Sequence, residues 1–145
     1  MRAALIGVLL LAGCVTADVV PNTVVRDMAP TGTLRAAVSG DLPRVAADLA
    51  REIARRAALP LELRPYDATG AWDIAFIARD AQRSDVDFTA SYAILQSGRE
   101  LAIALPRGHP LAAGYLRDFV DEMKASGFVA ESLARSGQKG AAIAP

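Results

Sequence analysis

An amphipathic segment that begins at Pro43 constrains the fold of this chain more than any other feature of the sequence. Its apolar side chains recur every four residues, at Val45, Leu49, Ile53 and Ala57, which is the spacing of one face of an α-helix. Proline is favoured in the first turn of a helix, where its missing N–H is not needed. The pattern therefore predicts a helix of about four turns with one buried face.

Strand-length apolar or extended runs lie on both sides of this predicted helix. One precedes it and the others follow it: Thr33–Val38, Leu61–Arg64, Trp72–Ala78, Val86–Tyr92 and Leu101–Leu105. Two further helical segments run from Leu111 to Arg135 and are interrupted at Ser126-Gly127. Because short strands and amphipathic helices pack as layers, we predict an α/β domain with a mostly parallel sheet flanked by helices.

Composition excludes several classes of protein. The 145 residues include 16 basic and 16 acidic side chains, so no basic excess is available to neutralise phosphates. We therefore expect no nucleic-acid partner. A single cysteine and a single histidine exclude a disulfide framework and the zinc sites that need several such ligands. We expect neither a metal nor an organic cofactor.

The N-terminus has the pattern of a bacterial export signal. Arg2 precedes an uncharged apolar stretch, Ala3–Ala12, which is too short to cross a bilayer as a helix. Leu11-Ala12-Gly13-Cys14 resembles the lipobox of bacterial lipoproteins. We predict a signal peptide over residues 1–13 and lipid attachment at Cys14, which anchors the protein on the periplasmic side of the cell envelope. The alternative is an ordinary secretory signal with a chance cysteine.

The segment after the predicted lipid site lacks a sustained period. Residues 14–30 contain Pro21 and Pro30, which favours an extended tether. The valine pairs at 19–20 and 24–25 leave a short strand as the alternative. The globular domain is then expected over residues 31–145, with the last residues, 140–145, frayed.

Several segments resemble, in the same order, bacterial extracellular solute-binding proteins of the polar amino-acid type. The matches cover most of Pro30 to Ala144, and only the ordered set, together with the lipobox, is specific. The segments are Gly32-Thr33-Leu34-Arg35, Asp48–Ala54, Leu59–Leu63, Ala71–Phe76, Asp85–Tyr92 and Leu116–Phe128. The resemblance implies the type II fold of periplasmic binding proteins, in which two α/β lobes enclose a solute.

The chain departs from this family after Tyr92. Members of the family build a second lobe there, whereas this chain reaches Pro110 and the terminal helices within a segment too short for a lobe. The loop Tyr66–Gly70 also replaces a helix that the family usually has. We therefore expect a single lobe, with the second lobe missing.

The resemblance also implies ligand-binding residues. Arg83 occupies the place of the arginine whose guanidinium pairs with the ligand carboxylate. Asp41 lies in a loop that lines the cleft of the family, and Tyr66 and Trp72 are placed to stack on a ligand. Each has a structural alternative: a surface ion pair of Arg83 with Asp80 or Asp85, a helix N-cap for Asp41, and a core position for Trp72.

These observations lead to two hypotheses of function. In the first, the chain is the substrate-binding component of an ABC transporter, meets a permease, and binds an amino acid or a similar small polar solute. Without a facing lobe, two copies could rebuild a cleft, so a homodimer is also expected. In the second, it is an interaction or scaffold lipoprotein that keeps the fold but has lost the ligand.

Catalysis is not predicted. His109 lies between Gly108 and Pro110 in a breaker cluster with no nucleophile motif near it. Ser39 lies in Ser-Gly-Asp, which is not the pattern of a nucleophile elbow. The glycines at 137 and 140 lack the spacing of a phosphate-binding loop.

Overall fold

Residues 19–145, which are the residues that the computed structural model describes, contain four helices and seven strands. The helices are α1 (Asn22–Met28), α2 (Pro43–Ala57), α3 (Pro110–Ala125) and α4 (Phe128–Ser136). The strands are β1 (Leu34–Val38), β2 (Leu61–Pro65), β3 (Ile74–Ala78), β4 (Val86–Phe88), β5 (Ala93–Ile94), β6 (Glu100–Pro106) and β7 (Ala142–Ile143). The predicted signal peptide and Cys14 lie outside the described residues.

The strands form one mixed sheet. Its order is β2-β1-β3-β6-β5-β7, and β4 also pairs with β6. β1 is parallel to β2 and β3, whereas β6 is antiparallel to β3, β4 and β5, and β7 is antiparallel to β5. The predicted α/β class is confirmed, but the prediction of a mostly parallel sheet is wrong.

A tight turn explains this error. The N–H of Leu95 donates to the carbonyl of Arg99 at 2.8 Å, and Gly98 adopts a φ of 86°. Such a short connection joins only antiparallel neighbours, because a parallel pair needs a crossover of a dozen or more residues. β5 and β6 therefore form a hairpin, which reverses the direction of the central strand β6.

The helices pack together on one face of the sheet. Each helix contributes buried side chains to this main core, including Met28, Leu49, Leu116 and Val129. The strands contribute alternate residues, as a half-buried strand requires: Leu34, Ala36, Ile74, Phe76, Leu101 and Ile103. The predicted four-residue period of α2 is confirmed, since Val45, Leu49 and Ile53 are fully buried.

The opposite face of the sheet is covered by loops. A smaller apolar cluster lies there, made of Ala37, Trp72, Ala75, Ile77, Val86 and Ala104, with Tyr66 and Phe88 at its margin. α2 carries the chain from β1 out to β2, and the return to β3 must then pass over the other face for a right-handed crossover. The returning connection, residues 66–73, is too short for a helix that spans the sheet.

Part of the predicted tether, residues 14–30, forms helix α1. Asn22–Met28 is helical and packs on α3, with Met28 only 3% exposed. The extended tether is wrong for these residues, and so is the alternative of a strand. Val24, Val25 and Met28 share one helical face against the main core, a pattern too short to stand out between two prolines. Residues 14–18 of the predicted tether lie outside the described part of the chain.

None of the helices within residues 19–145 combines the length and the apolar character that crossing a bilayer requires.

Candidate functional site

Three of the four predicted ligand-binding residues lie together on the loop-covered face of the sheet. Tyr66 directly follows β2, Trp72 shortly precedes β3, and Arg83 lies in the connection between β3 and β4. The ring centroids of Tyr66 and Trp72 are 6.0 Å apart, and Arg83 Nη1 donates to the hydroxyl of Tyr66 at 2.6 Å. The loops 66–73, between β2 and β3, and 79–85, between β3 and β4, therefore bring these side chains into one cluster.

The guanidinium of Arg83 is occupied by partners from its own chain. Its Nε and Nη2 donate to the two carboxylate oxygens of Asp85 at 3.0 and 2.6 Å. These hydrogen bonds, followed by the one to Tyr66, raise the pKa of Arg83 above its ordinary value. The same fork lowers the pKa of Asp85. Of the two ion pairs considered for Arg83, the structure contains the pair with Asp85.

Trp72 has a packing position. The residue is 9% exposed, belongs to the smaller apolar cluster, and donates from Nε1 to the carbonyl of Asp67 at 3.2 Å. The geometry therefore favours the core alternative for Trp72 over stacking on a ligand. Tyr66 is half-buried, and its hydroxyl is directed to Arg83.

A depression of about 500 Å³ lies beside Arg83. It carries charges of both signs and one half-buried aromatic ring, and its lining includes Arg79, Asp80, Arg83, Asp87, Phe88 and Glu100. Within residues 19–145, no ion pair or side-chain hydrogen bond engages Arg79, which is exposed. Arg79 is thus a cation available to an anionic ligand, whereas Arg83 must first release Asp85.

Sequence reasoning missed the contribution of Arg79, Asp87 and Glu100 to this depression. Arg79 directly follows β3, Asp87 lies on β4, and Glu100 begins β6. Only the antiparallel pairing of β6 with β3 and β4 brings these three positions together. The position of Arg79 after a buried strand was the one signal that could have singled it out.

Asp41 lies apart from this cluster. Its carboxylate pairs with Arg99 at 3.2 Å, beyond the carboxyl end of β1. The helix N-cap alternative for Asp41 is wrong, because Leu42 occupies that position and no side chain caps α2. Nearby, the Oγ of Ser39 is buried without a hydrogen-bond partner among the described residues.

A second polar cluster, which the sequence reasoning also missed, joins β1 to the start of β3. Asp73 accepts hydrogen bonds from the backbone N–H of Arg35 at 2.9 Å, from its Nε at 3.3 Å and from its Nη2 at 2.9 Å. These interactions raise the pKa of Arg35. Because only 4% of the Asp73 side chain is exposed, this is a largely buried ion pair, and it holds β1 and β3 together.

His109 and Asp27 lie beside the Arg35–Asp73 ion pair, around a cavity of about 130 Å³. Asp27 Oδ1 lies 3.2 Å from His109 Nδ1, and Oδ2 accepts the N–H of Ala112 at 2.9 Å. Asp27 of α1 therefore caps the first turn of α3, which lies far along the chain. Among residues 19–145, no three His, Cys, Asp or Glu side chains come together as a metal site.

Comparisons of this chain with protein-family models, with curated proteins and with solved structures return no match. The family resemblance therefore stays a resemblance of short ordered segments.

Proposed function

We propose that this protein is a lipid-anchored solute-binding protein of the bacterial cell envelope, built as a single lobe of the type II kind. Its solute is an amino acid or a similar small zwitterion, and its partner is an ABC permease. The observation that carries the proposal is the depression beside Arg83. The arginine predicted to hold a carboxylate lines a concave surface that also bears several carboxylates and Arg79, whose side chain no residue of the described range 19–145 pairs with.

The lining matches a zwitterion in charge. Arg79 and Arg83 are suited to a carboxylate, because a guanidinium offers two parallel donors to its two oxygens. Asp80, Asp87 and Glu100 are suited to an ammonium group. The family takes this acidic partner from its second lobe, whereas here β4, β6 and the loop before β4 supply it.

The open shape of the site sets the expected affinity. The Asp85 side chain is 65% exposed, so its carboxylate can move into the solvent when a ligand carboxylate takes its place on Arg83. Ion pairs at such exposed sites contribute at most about 1 kcal/mol each. The expected dissociation constant is therefore roughly millimolar, far weaker than that of a two-lobed binder that encloses its ligand.

Titration of the full chain in mild detergent against amino acids and organic acids tests this proposal. Trp72 is the only tryptophan and contacts Tyr66, whose hydroxyl accepts a hydrogen bond from Arg83, so its fluorescence follows changes at Arg83 through Tyr66. Calorimetry gives the affinity. Arg79→Ala and Arg83→Ala should each weaken binding by up to about fivefold, which corresponds to the loss of one exposed ion pair of about 1 kcal/mol. Arg117→Ala, an exposed arginine of α3, is the matched control and should leave binding unchanged.

Asp85→Asn separates the roles of Arg83. Loss of the Asp85 charge frees the guanidinium, so a carboxylate solute should bind more tightly to this variant than to the wild type. If neither the wild type nor Asp85→Asn gives heat or a fluorescence change with any solute, while circular dichroism shows folded protein, the solute-binding proposal is wrong.

A specific observation favours the second candidate, an anchored interaction or scaffold lipoprotein. The guanidinium of Arg83 already binds Asp85 and Tyr66. This is expected of a structural arginine, because its bond to Tyr66 holds the loop 79–85 against the loop 66–73. In that case Arg83→Ala should lower the melting temperature, and no solute should bind. A binder should instead lose affinity and keep its melting temperature nearly unchanged.

The anchor is tested separately from the solute. Cys14→Ser should abolish incorporation of a labelled fatty acid and release the protein from the membrane fraction. Equal labelling of the variant and the wild type would contradict lipid attachment at Cys14, whatever the result of the titrations.

A further inference from the structure

Strand β2 has one edge that none of the described strands pairs with. Within residues 19–145 it pairs only with β1, through a parallel ladder. The carbonyl of Pro60 and the N–H of Tyr66 both bond to β1, and alternate residues of a strand in such a ladder direct their backbone groups to opposite sides. Leu61 and Leu63 therefore present their N–H and C=O groups at the free edge.

The side chains along this edge are self-complementary. Glu62 and Arg64 lie on one face of β2 and form an ion pair with each other. Leu63 lies on the other face and is 39% exposed. Beside it, an open and mostly apolar groove of about 430 Å³ separates β2 from α2, lined in part by Val38, Pro43, Ala47 and Pro65.

We propose that a second copy of this chain pairs with β2 in the antiparallel direction, centred on Leu63. In this register Leu63 lies opposite Leu63 of the partner subunit, and the two residues exchange both backbone hydrogen bonds. Each Leu61 N–H bonds to the carbonyl of the partner's Pro65. This pairing of the two β2 strands places the partner's Leu63 beside the apolar groove and joins the two sheets into one.

Charge selects this register. Glu62 lies opposite the partner's Arg64, and Arg64 lies opposite the partner's Glu62. Both pairs fall at non-hydrogen-bonded positions, where the side chains of antiparallel strands come closest. A shift by two residues in either direction would instead place Glu62 opposite the partner's Glu62, or Arg64 opposite the partner's Arg64.

Proline and charged residues at an edge usually prevent association of strands. Here Pro65 removes only the donor that the carbonyl of Leu61 would have used, and that carbonyl stays open to water. The charges disfavour shifted registers and unrelated strands, while the centred register satisfies them. No residue of the depression beside Arg83 takes part, so the dimer and the proposed solute site can each fail without the other.

Cross-linking of the purified full chain in mild detergent tests this arrangement. Strands paired at Leu63 place the two α-carbons within the range that a disulfide bridges. Leu63→Cys should therefore give a reducible dimer under mild oxidation, whereas the wild type, with its native Cys14, and Glu131→Cys on the exposed surface of α4 should not. Sedimentation of the wild type should give the mass of a dimer.

Charge reversal tests the register. In the Leu63→Cys background, Glu62→Arg places like charges opposite each other twice and should weaken dimerisation about tenfold. The double change Glu62→Arg, Arg64→Glu restores opposite charges at both positions and should restore the cross-linked yield. Circular dichroism is the check that each variant is folded.

A monomeric wild type at every soluble concentration would overturn the proposal. So would a Leu63→Cys yield no higher than that of Glu131→Cys. A double variant that dimerises no better than Glu62→Arg would also overturn it, because the centred register requires the rescue.

Discussion

Removal of the Asp73 carboxylate is the most direct test of what holds the sheet together. Asp73→Ala deletes an acceptor that binds the backbone N–H, Nε and Nη2 of Arg35. The two residues lie 38 positions apart and join the starts of β1 and β3. The change therefore leaves several donors of Arg35 without a protein partner at once.

The magnitude follows from burial. Removing one partner of a buried ion pair costs about 3 to 5 kcal/mol in the free energy of unfolding. The Arg35 side chain is 25% exposed, so water can solvate part of the orphaned guanidinium, and we expect the lower end, about 3 kcal/mol. In a domain of this size that corresponds to a decrease in melting temperature of about 10 °C.

Urea denaturation monitored through Trp72 fluorescence measures this loss. Asp73→Asn keeps an acceptor and should lose about half as much as Asp73→Ala. Arg51→Ala, which breaks an exposed ion pair of α2, is the control and should change stability by less than about 0.5 kcal/mol. A loss for Asp73→Ala below about 1 kcal/mol would refute the reasoning, because a buried carboxylate with these partners cannot cost so little to remove.

Three other predictions follow from single contacts. Arg56 lowers the pKa of Glu122, so this pair stabilises the fold above about pH 4.5, and that contribution is lost as the pH falls through the lowered pKa. Arg56→Met should therefore make the free energy of unfolding depend less on pH, as measured by urea titrations from pH 6 to 3. Asp27→Ala removes the cap of α3 and should cost about 1 kcal/mol and speed tryptic cleavage in α1, while Asp121→Ala should do neither. Gly140→Ala would bring a Cβ within 2.8 Å of a neighbouring side chain at a φ of 80° and should cost about 1–2 kcal/mol, with faster amide exchange in β7.

Features set by neighbouring residues were predicted well. Helix α2 begins at Pro43 and ends at Ala57 as expected, because a four-residue period and an N-terminal proline are local signals. The break at Ser126-Gly127 between α3 and α4 is confirmed for the same reason, since Gly127 adopts a φ of 87°. The ion pair of Arg83 with Asp85, two positions away, was one of the alternatives that the sequence left open.

Features set by distant residues were missed. The last residues, expected to be frayed, contain β7, which pairs with β5 about 50 positions earlier along the chain. The sequence of helix α1 predicts part of a tether, because only the contacts of this helix with α3 distinguish it from a linker. The depression beside Arg83 needs residues from two strands, β4 and β6, and from the loop between β3 and β4, and no sequence pattern brings them together.

The sequence by itself therefore determined the α/β class and the bounds of α2, which depend on periods that a short window of residues contains. Arg83, Tyr66 and Trp72 became candidates only through the resemblance of short segments to a family. Only the tertiary structure decided the place of β6 between β3 and β5, the free edge of β2 and the partners of Arg83 and Asp41. The physical reason is that strand order and side-chain partners are selected by burial of the whole sheet against the helices, which contributes more free energy than any local preference.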